Sequence, residues 1–230
     1  MESQSVRPYL RERAWPVLPK GRNAAPRQFV FESQRERMLE AIALVVAEKG
    51  YAAATVADVI ARAGVSRKTF YEQFANKEAC FLAAYDTGVR LLISAVEAAI
   101  EEAPDWLEAM RAGTSRYLES LSANPAFART FLVEILAAGP TALERRAAVH
   151  RRFAELHANS HSAARETVAL PAVPRATHRA AVGAINELVT DHLVNRGADS
   201  LPALLGELLE IQLALYTGAS TAGVAGLPDA

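Results

Sequence analysis

Apolar residues along this 230-residue chain recur at intervals of three and four and never alternate with polar ones over a useful length. That pattern restricts the fold to packed helices, because a half-buried strand needs a period of two. The expected fold class is all-α. Proline and glycine then cut the pattern into pieces. Ser33 followed by Glu36 forms a capping-box pair that opens a first helix, with Met38, Leu39, Ile42, Val45 and Val46 on its apolar face and Gly50 at its end. Thr55-x-x-Asp58 starts a second helix that Gly64-Val65 interrupts, and Ser66 caps a short third helix reaching about Phe74. Asn76, with Glu78 in its first turn, opens a long fourth helix to about Glu101. Pro104, Asn124-Pro125 and Gly139-Pro140 mark further helices over about 104–122, 125–138 and 141–166. After the linker 170–174, two last helices are expected at 176–195 and 200–217.

Composition narrows the function classes. The single cysteine, Cys80, excludes an internal disulfide framework and suits a reducing compartment. The longest apolar run, Ala41–Ala47, is far too short to span a bilayer, and no signal-peptide core is visible, so a cytoplasmic protein without a membrane partner is expected. The net charge of −1 argues at first against nucleic acid, but its distribution does not. Residues 1–80 carry 13 Lys and Arg against 9 Asp and Glu, while residues 81–230 carry 12 against 17. A basic front is joined to an acidic remainder, as a nucleic-acid-facing module joined to a different body would be.

Within the basic front, Thr55 to Phe74 reads as two short helices around a glycine turn, the helix-turn-helix arrangement. Gly64 permits the sharp turn, Ala61 and Ala63 let the helices cross closely, and Val65, Phe70 and Phe74 lock one against the other. Arg67 and Lys68 are cations on the second helix. The run Glu48-Lys49-Gly50-Tyr51, Thr55-Val56-Ala57-Asp58-Val59-Ile60, Ala63-Gly64-Val65-Ser66, Thr69-Phe70-Tyr71, Phe74 and Asn76-Lys77-Glu78 resembles the N-terminal domain of the TetR family of bacterial transcriptional repressors. The resemblance covers about fifty residues, Arg35 to Tyr85, and departs at Lys68, where many members carry glycine.

The resemblance implies a sequence-specific transcriptional regulator, not an enzyme, that represses until a small molecule releases it from a palindromic double-stranded operator. A constitutive regulator without a ligand is the alternative. It implies that Ser66, Arg67, Lys68 and Thr69 face the major groove and that Thr55, Tyr71 and Lys77 meet phosphate. Lys20 and Arg22, in the proline-rich arm 1–27, either track the minor groove or belong to a solubilising tail. Residues 28–80 would be the DNA-binding domain, 81–218 the effector-binding and dimerising body, and 219–230 a flexible tail. The last two helices are the most apolar, the final one on more than one face, so a homodimer through residues 176–217 is expected. Tyr85, Trp106, Met110, Tyr117, Phe127, Phe131, Phe153 and His157 are the candidates for contact with an apolar or aromatic effector.

His150, His157 and His161 share one helical stripe, and histidines four apart can share a metal. Arg146, Arg151 and Arg152 crowd the same segment, so surface histidines are expected there rather than a metal-binding protein, and no cofactor is expected. The chain has no phosphate-binding glycine loop and no nucleophile–base motif.

Overall fold

The computed structural model describes residues 27–217, so the arm residues Lys20 and Arg22 and the expected tail lie outside the described residues. Among those described, all regular structure is helical: α1 (Arg27–Lys49), α2 (Val56–Ala63), α3 (Arg67–Gln73), α4 (Lys77–Glu101), α5 (Trp106–Ser122), α6 (Pro125–Leu132), α7 (Pro140–Ala164), α8 (Arg175–Arg196) and α9 (Leu205–Thr217), with 3₁₀ turns at Glu134–Ala137 and Leu201–Leu204.

Local chemistry accounts for most of these boundaries. Asn76 Oδ1 accepts the Ala79 amide at 2.8 Å, and Asp105 Oδ1 accepts that of Glu108 at 2.9 Å, so α5 starts at Trp106 rather than at Pro104. Pro125 and Pro140 stand at the first helical position, where a missing N–H costs nothing. Three expectations need correction. Ser33 lies inside α1 and does not cap it, because the helix already starts at Arg27, directly after Pro26 in the sequence. The helix expected at 125–138 breaks after Leu132, where Glu134 turns inward in a 3₁₀ turn. The last helix opens through another 3₁₀ turn around Pro202.

The chain folds into two compact units. One takes in the chain up to Leu91 together with Leu121–Arg145; the other takes in Leu92–Ser120 together with the chain from Arg146 on. These units are divided otherwise than the boundary expected at residue 80: α6, the 3₁₀ turn after it and the first residues of α7 belong to the same unit as the N-terminal helices.

In the first unit, α1 packs against α2 and α6 over a core of Met38, Ile42, Val46, Val59, Phe70, Phe81 and Tyr85. Gly88 of α4 lets Phe127 of α6 come close; a Cβ there would stand 2.1 Å from the Phe127 ring. Cys80 is fully buried, and burial raises its thiol pKa to about 12, so it behaves as a small core residue. In the second unit, Leu118, Ala181, Val189, Leu201 and Leu208 are fully buried. Met110, Ala181 and Tyr216 form a cluster joined by Trp106, Val173, Leu209, Leu213 and Leu215. By length and composition α4 could cross a bilayer. Its polar groups are engaged within the fold instead: Asp86 pairs with Arg145, and Glu97 accepts from Arg152 at 2.6 Å.

Candidate nucleic-acid interface

The turn between α2 and α3 is assembled from its own side chains. Thr55 has extended backbone, and its hydroxyl accepts the Asp58 amide at 3.2 Å while the Asp58 carboxylate accepts the Thr55 amide at 3.0 Å, a reciprocal capping box. Lys49 donates to Asp58 at 2.5 Å, and this bond, with those from Thr55, holds the Asp58 carboxyl down at about 2. Gly64 ends α2 at φ +61°, the left-handed region that an L side chain resists, and its N–H returns to the Ile60 carbonyl. Arg37 of α1 donates to the Ala63 carbonyl at 2.8 Å, satisfying an end of α2 that would otherwise stay open. Ser66 then caps α3, accepting the Thr69 amide at 3.0 Å. Two short helices, each too short to persist alone, are thus fixed at both ends.

Val59 and Ala63 on α2 and Phe70 on α3 point into the core, with Phe74 just beyond them. The opposite face of α3 presents Ser66, Arg67, Lys68 and Tyr71 to solvent, with Lys68 87% and Tyr71 49% exposed. Lys68 has only a loose pairing with Glu72 at 3.9 Å. Thr69 is half-buried and shares its hydroxyl with that of Ser66 at 2.9 Å. The Thr55 hydroxyl is committed to Asp58.

Lys77 is also engaged within the fold. Its ammonium donates to the Tyr51 carbonyl at 2.7 Å and the Ala54 carbonyl at 2.9 Å, and lies 4.3 Å from the Tyr51 ring centroid. Two of its three N–H donors are thus used inside the fold, where they hold the loop before α2 against the start of α4. Lys49, at the end of α1, is paired with Asp58. A residue that sequence reasoning missed completes this support: Glu134, 7% exposed, accepts the Tyr51 amide at 2.8 Å and pairs with Arg129 at 3.3 Å. No short-range signal could have revealed a contact across 83 positions.

The eight effector candidates are shared between the two units. Tyr85, Phe131 and Phe127 stack in the first unit at centroid spacings of 5.7 and 5.5 Å. Trp106, Met110 and His157 belong to the second unit and surround Tyr216, and Tyr117 meets Phe153 there edge-on at 5.9 Å. His150, His157 and His161 were expected at the surface; instead His161 is buried and His150 and His157 are half-buried, with His161 facing Tyr216 and the buried His178 of α8. Burial lowers the pKa of each, that of His157 to about 4, so the neutral imidazoles prevail at pH 7. Among the described residues no three His, Cys, Asp or Glu side chains are placed to hold a metal ion.

Residues 38–84 match the sequence model described as bacterial regulatory proteins, tetR family. Two curated relatives come from Mycolicibacterium smegmatis. The HTH-type transcriptional regulator EthR is 32% identical over 117 residues, 48% of this chain and 51% of that protein. The HTH-type transcriptional activator FasR is 29% identical over 108 residues, 47% and 49%. The chain spans about half the length of these relatives in the match. A solved structure of the transcriptional regulator FadR from Bacillus subtilis, in complex with stearoyl-CoA, superposes with a TM-score of 0.70 over 80% of this chain and 98% of that one, at 21% identity, a likeness of fold. Residues 38–84 of this chain are thus similar to the tetR family of bacterial regulatory proteins, and the likeness of fold extends over most of the chain.

Proposed function

We propose that this chain acts in the cytoplasm as a dimeric repressor of transcription that reads a palindromic operator and leaves it when a small molecule binds the body. The observation that carries this reading is the outward face of α3: Ser66, Arg67, Lys68 and Tyr71 stand exposed on a helix fixed by caps at the turn before it. Arg67 and Lys68 reach base edges or phosphate, and the Tyr71 hydroxyl meets a phosphate oxygen. The amphipathic phenol of Tyr71 remains half-exposed although Phe70 lies edge-on to it. Thr55 and Ser66 support those contacts chiefly as caps, and Lys77 chiefly as an anchor of the loop before α2.

Dimer formation through residues 176–217 is supported by apolar side chains that the single chain leaves uncovered, Val194 at 58% exposure and the half-buried Leu188, Leu193 and Ile211. A two-fold pair would set two α3 helices about 34–36 Å apart, one turn of B-DNA. Fluorescence anisotropy with DNA flanking the protein's own gene tests the reading. A specific complex that weakens steeply with salt is expected, and Lys68→Ala should reduce the log–log salt slope by about 1. Tyr71→Phe should weaken binding while sedimentation still reports a dimer. No salt-sensitive specific complex on that DNA would refute the proposal.

A further inference from the structure

In the first unit a groove of about 410 Å³ lies between α1 and the start of α6. Its floor is Ala43, Leu44 and Ala47 of α1 with Ala126 of α6, and it is open because three of these four side chains are only methyl groups. Leu44 and Ala47 are left half-buried there. Glu40 and Glu48 stand at either end of the α1 wall, about 12 Å apart along the helix axis. Glu48 pairs with Arg62 at 2.7 Å but stays 53% exposed, and a carboxylate has room for more than one donor. Arg129, which lines the α6 side, already has its charge offset by Glu134 at 3.3 Å. The occupant that suits such a groove is a narrow segment, apolar along its middle and basic at both ends.

The chain carries a segment of that description just before α1. Residues 1–26 hold five Lys and Arg against two Glu, and the stretch Arg13-Ala14-Trp15-Pro16-Val17-Leu18-Pro19-Lys20 sets apolar residues between two cations. Pro16 and Pro19 fix φ and oppose a helix, so less freedom is lost when such a stretch is held extended. An extended proline-rich backbone advances about 3.1 Å per residue and a helix about 1.5 Å. Returning along α1 from Arg27, Lys20 therefore reaches about 22 Å, and Glu40 lies about 20 Å into the helix. Leu18 reaches about 28 Å, past Ala43 and Leu44 at about 24–26 Å, and Trp15 about 37 Å, past Ala47 at about 30 Å. Arg13, at about 43 Å, has slack to meet Glu48 at about 32 Å. Trp15 and Leu18, three residues apart, share one side of such a backbone. We infer that residues 13–20 fold back antiparallel to α1, seating Trp15 and Leu18 in the groove with Lys20 against Glu40 and Arg13 against Glu48. The short tether holds the segment near the groove at an effective concentration of about millimolar, which favours the chain's own arm over that of a second copy. The contact belongs to the free protein and does not depend on operator binding.

Limited trypsin digestion of the full chain, without DNA, tests it through the rate of cleavage after Arg13. That rate should rise several-fold in Ala47→Arg, whose side chain fills the groove, and in Lys20→Glu, which sets a carboxylate against Glu40. Adding Glu40→Lys to the Lys20→Glu chain reverses both charges and should restore the slow cleavage. Lys20→Glu alters only the arm, so it decides the matter even where Ala47→Arg fails to fold. Fluorescence gives a second reading: with Trp106→Phe, Trp15 is the one tryptophan left, and its emission should lie to the blue of that in the same chain carrying Lys20→Glu. Cleavage after Arg13 at the same rate in the parent and Lys20→Glu chains overturns the inference, as does a Trp15 emission that Lys20→Glu leaves unchanged. Protection that disappears on dilution assigns the groove to the arm of a second copy and overturns it too.

Discussion

Glu134→Ala should loosen the loop before α2 through its bond to Tyr51, 83 residues away in sequence. The carboxylate accepts the Tyr51 amide at 2.8 Å in a part-buried setting, and the same Tyr51 offers its carbonyl to Lys77 at the first residue of α4. A hydrogen bond to a charged acceptor contributes about 1.5–3 kcal/mol net, and a donor left unmet costs in the same range. The pairing with Arg129 adds little, about 0.5 kcal/mol, because the guanidinium is 46% exposed at 3.3 Å and water screens it. The alanine variant should therefore lose about 2–3 kcal/mol. Glu134→Gln keeps an acceptor oxygen for Tyr51 and gives up the charge, so its loss should stay near 1 kcal/mol. Urea unfolding measures both values. Hydrogen exchange at the Tyr51 amide should speed up in the alanine variant and recover in the glutamine variant, and operator affinity should fall in the same order. An alanine variant within about 0.5 kcal/mol of the parent, or a glutamine variant as damaged as the alanine one, would refute the assignment of Glu134 as the clamp on this loop.

The histidine cluster makes stability depend on pH. Because the folded pKa values of His157, His161 and His178 lie below the ordinary 6.5, the unfolded chain takes up protons first. Their contribution is complete above pH 6.5 and is lost on acidification toward the value of about 4 for His157. Urea unfolding at pH 7 and 5 should show a loss of about 2 kcal/mol that His157→Gln removes, and an unchanged difference would contradict the buried, neutral imidazole. At Gly88 two effects compete: alanine gains about 1 kcal/mol of helix propensity, but its Cβ would stand 2.1 Å from a Phe127 ring stacked on Phe131. Overpacking of about 2–3 kcal/mol wins, so Gly88→Ala should be about 1–2 kcal/mol less stable, and Gly183→Ala, with nothing within 4 Å, about 1 kcal/mol more stable by the same melt.

What was legible in the sequence was whatever depends on neighbours in the chain. The capping box at Thr55 and Asp58, the turn at Gly64, the cap at Ser66 and the start of α4 at Asn76 all connect groups within a few residues, so spacing alone reveals them. Ser33 shows the limit of that reasoning: a capping pair is a good start signal only where the residues before it cannot be helical, and here they can. The outward face of α3 was equally legible, because Phe70 and Phe74 must turn inward and Arg67, Lys68 and Tyr71 are left outside.

By itself, then, the sequence determined the helical class and the helix-turn-helix module, since hydrophobic period and cap chemistry act over one or two turns. Only the tertiary structure decided what Lys77, Glu134 and the histidines do. Lys77 was readable only as a cation for phosphate, and the fold shows two carbonyls of the loop before α2 accepting hydrogen bonds from its ammonium. His157 and His161 were readable as surface residues until α8 and α9 brought His178 and Tyr216 against them. The role of a polar side chain depends on whether burial removes its water and which partner replaces it, and in a helical fold that partner comes from a helix far away in the chain.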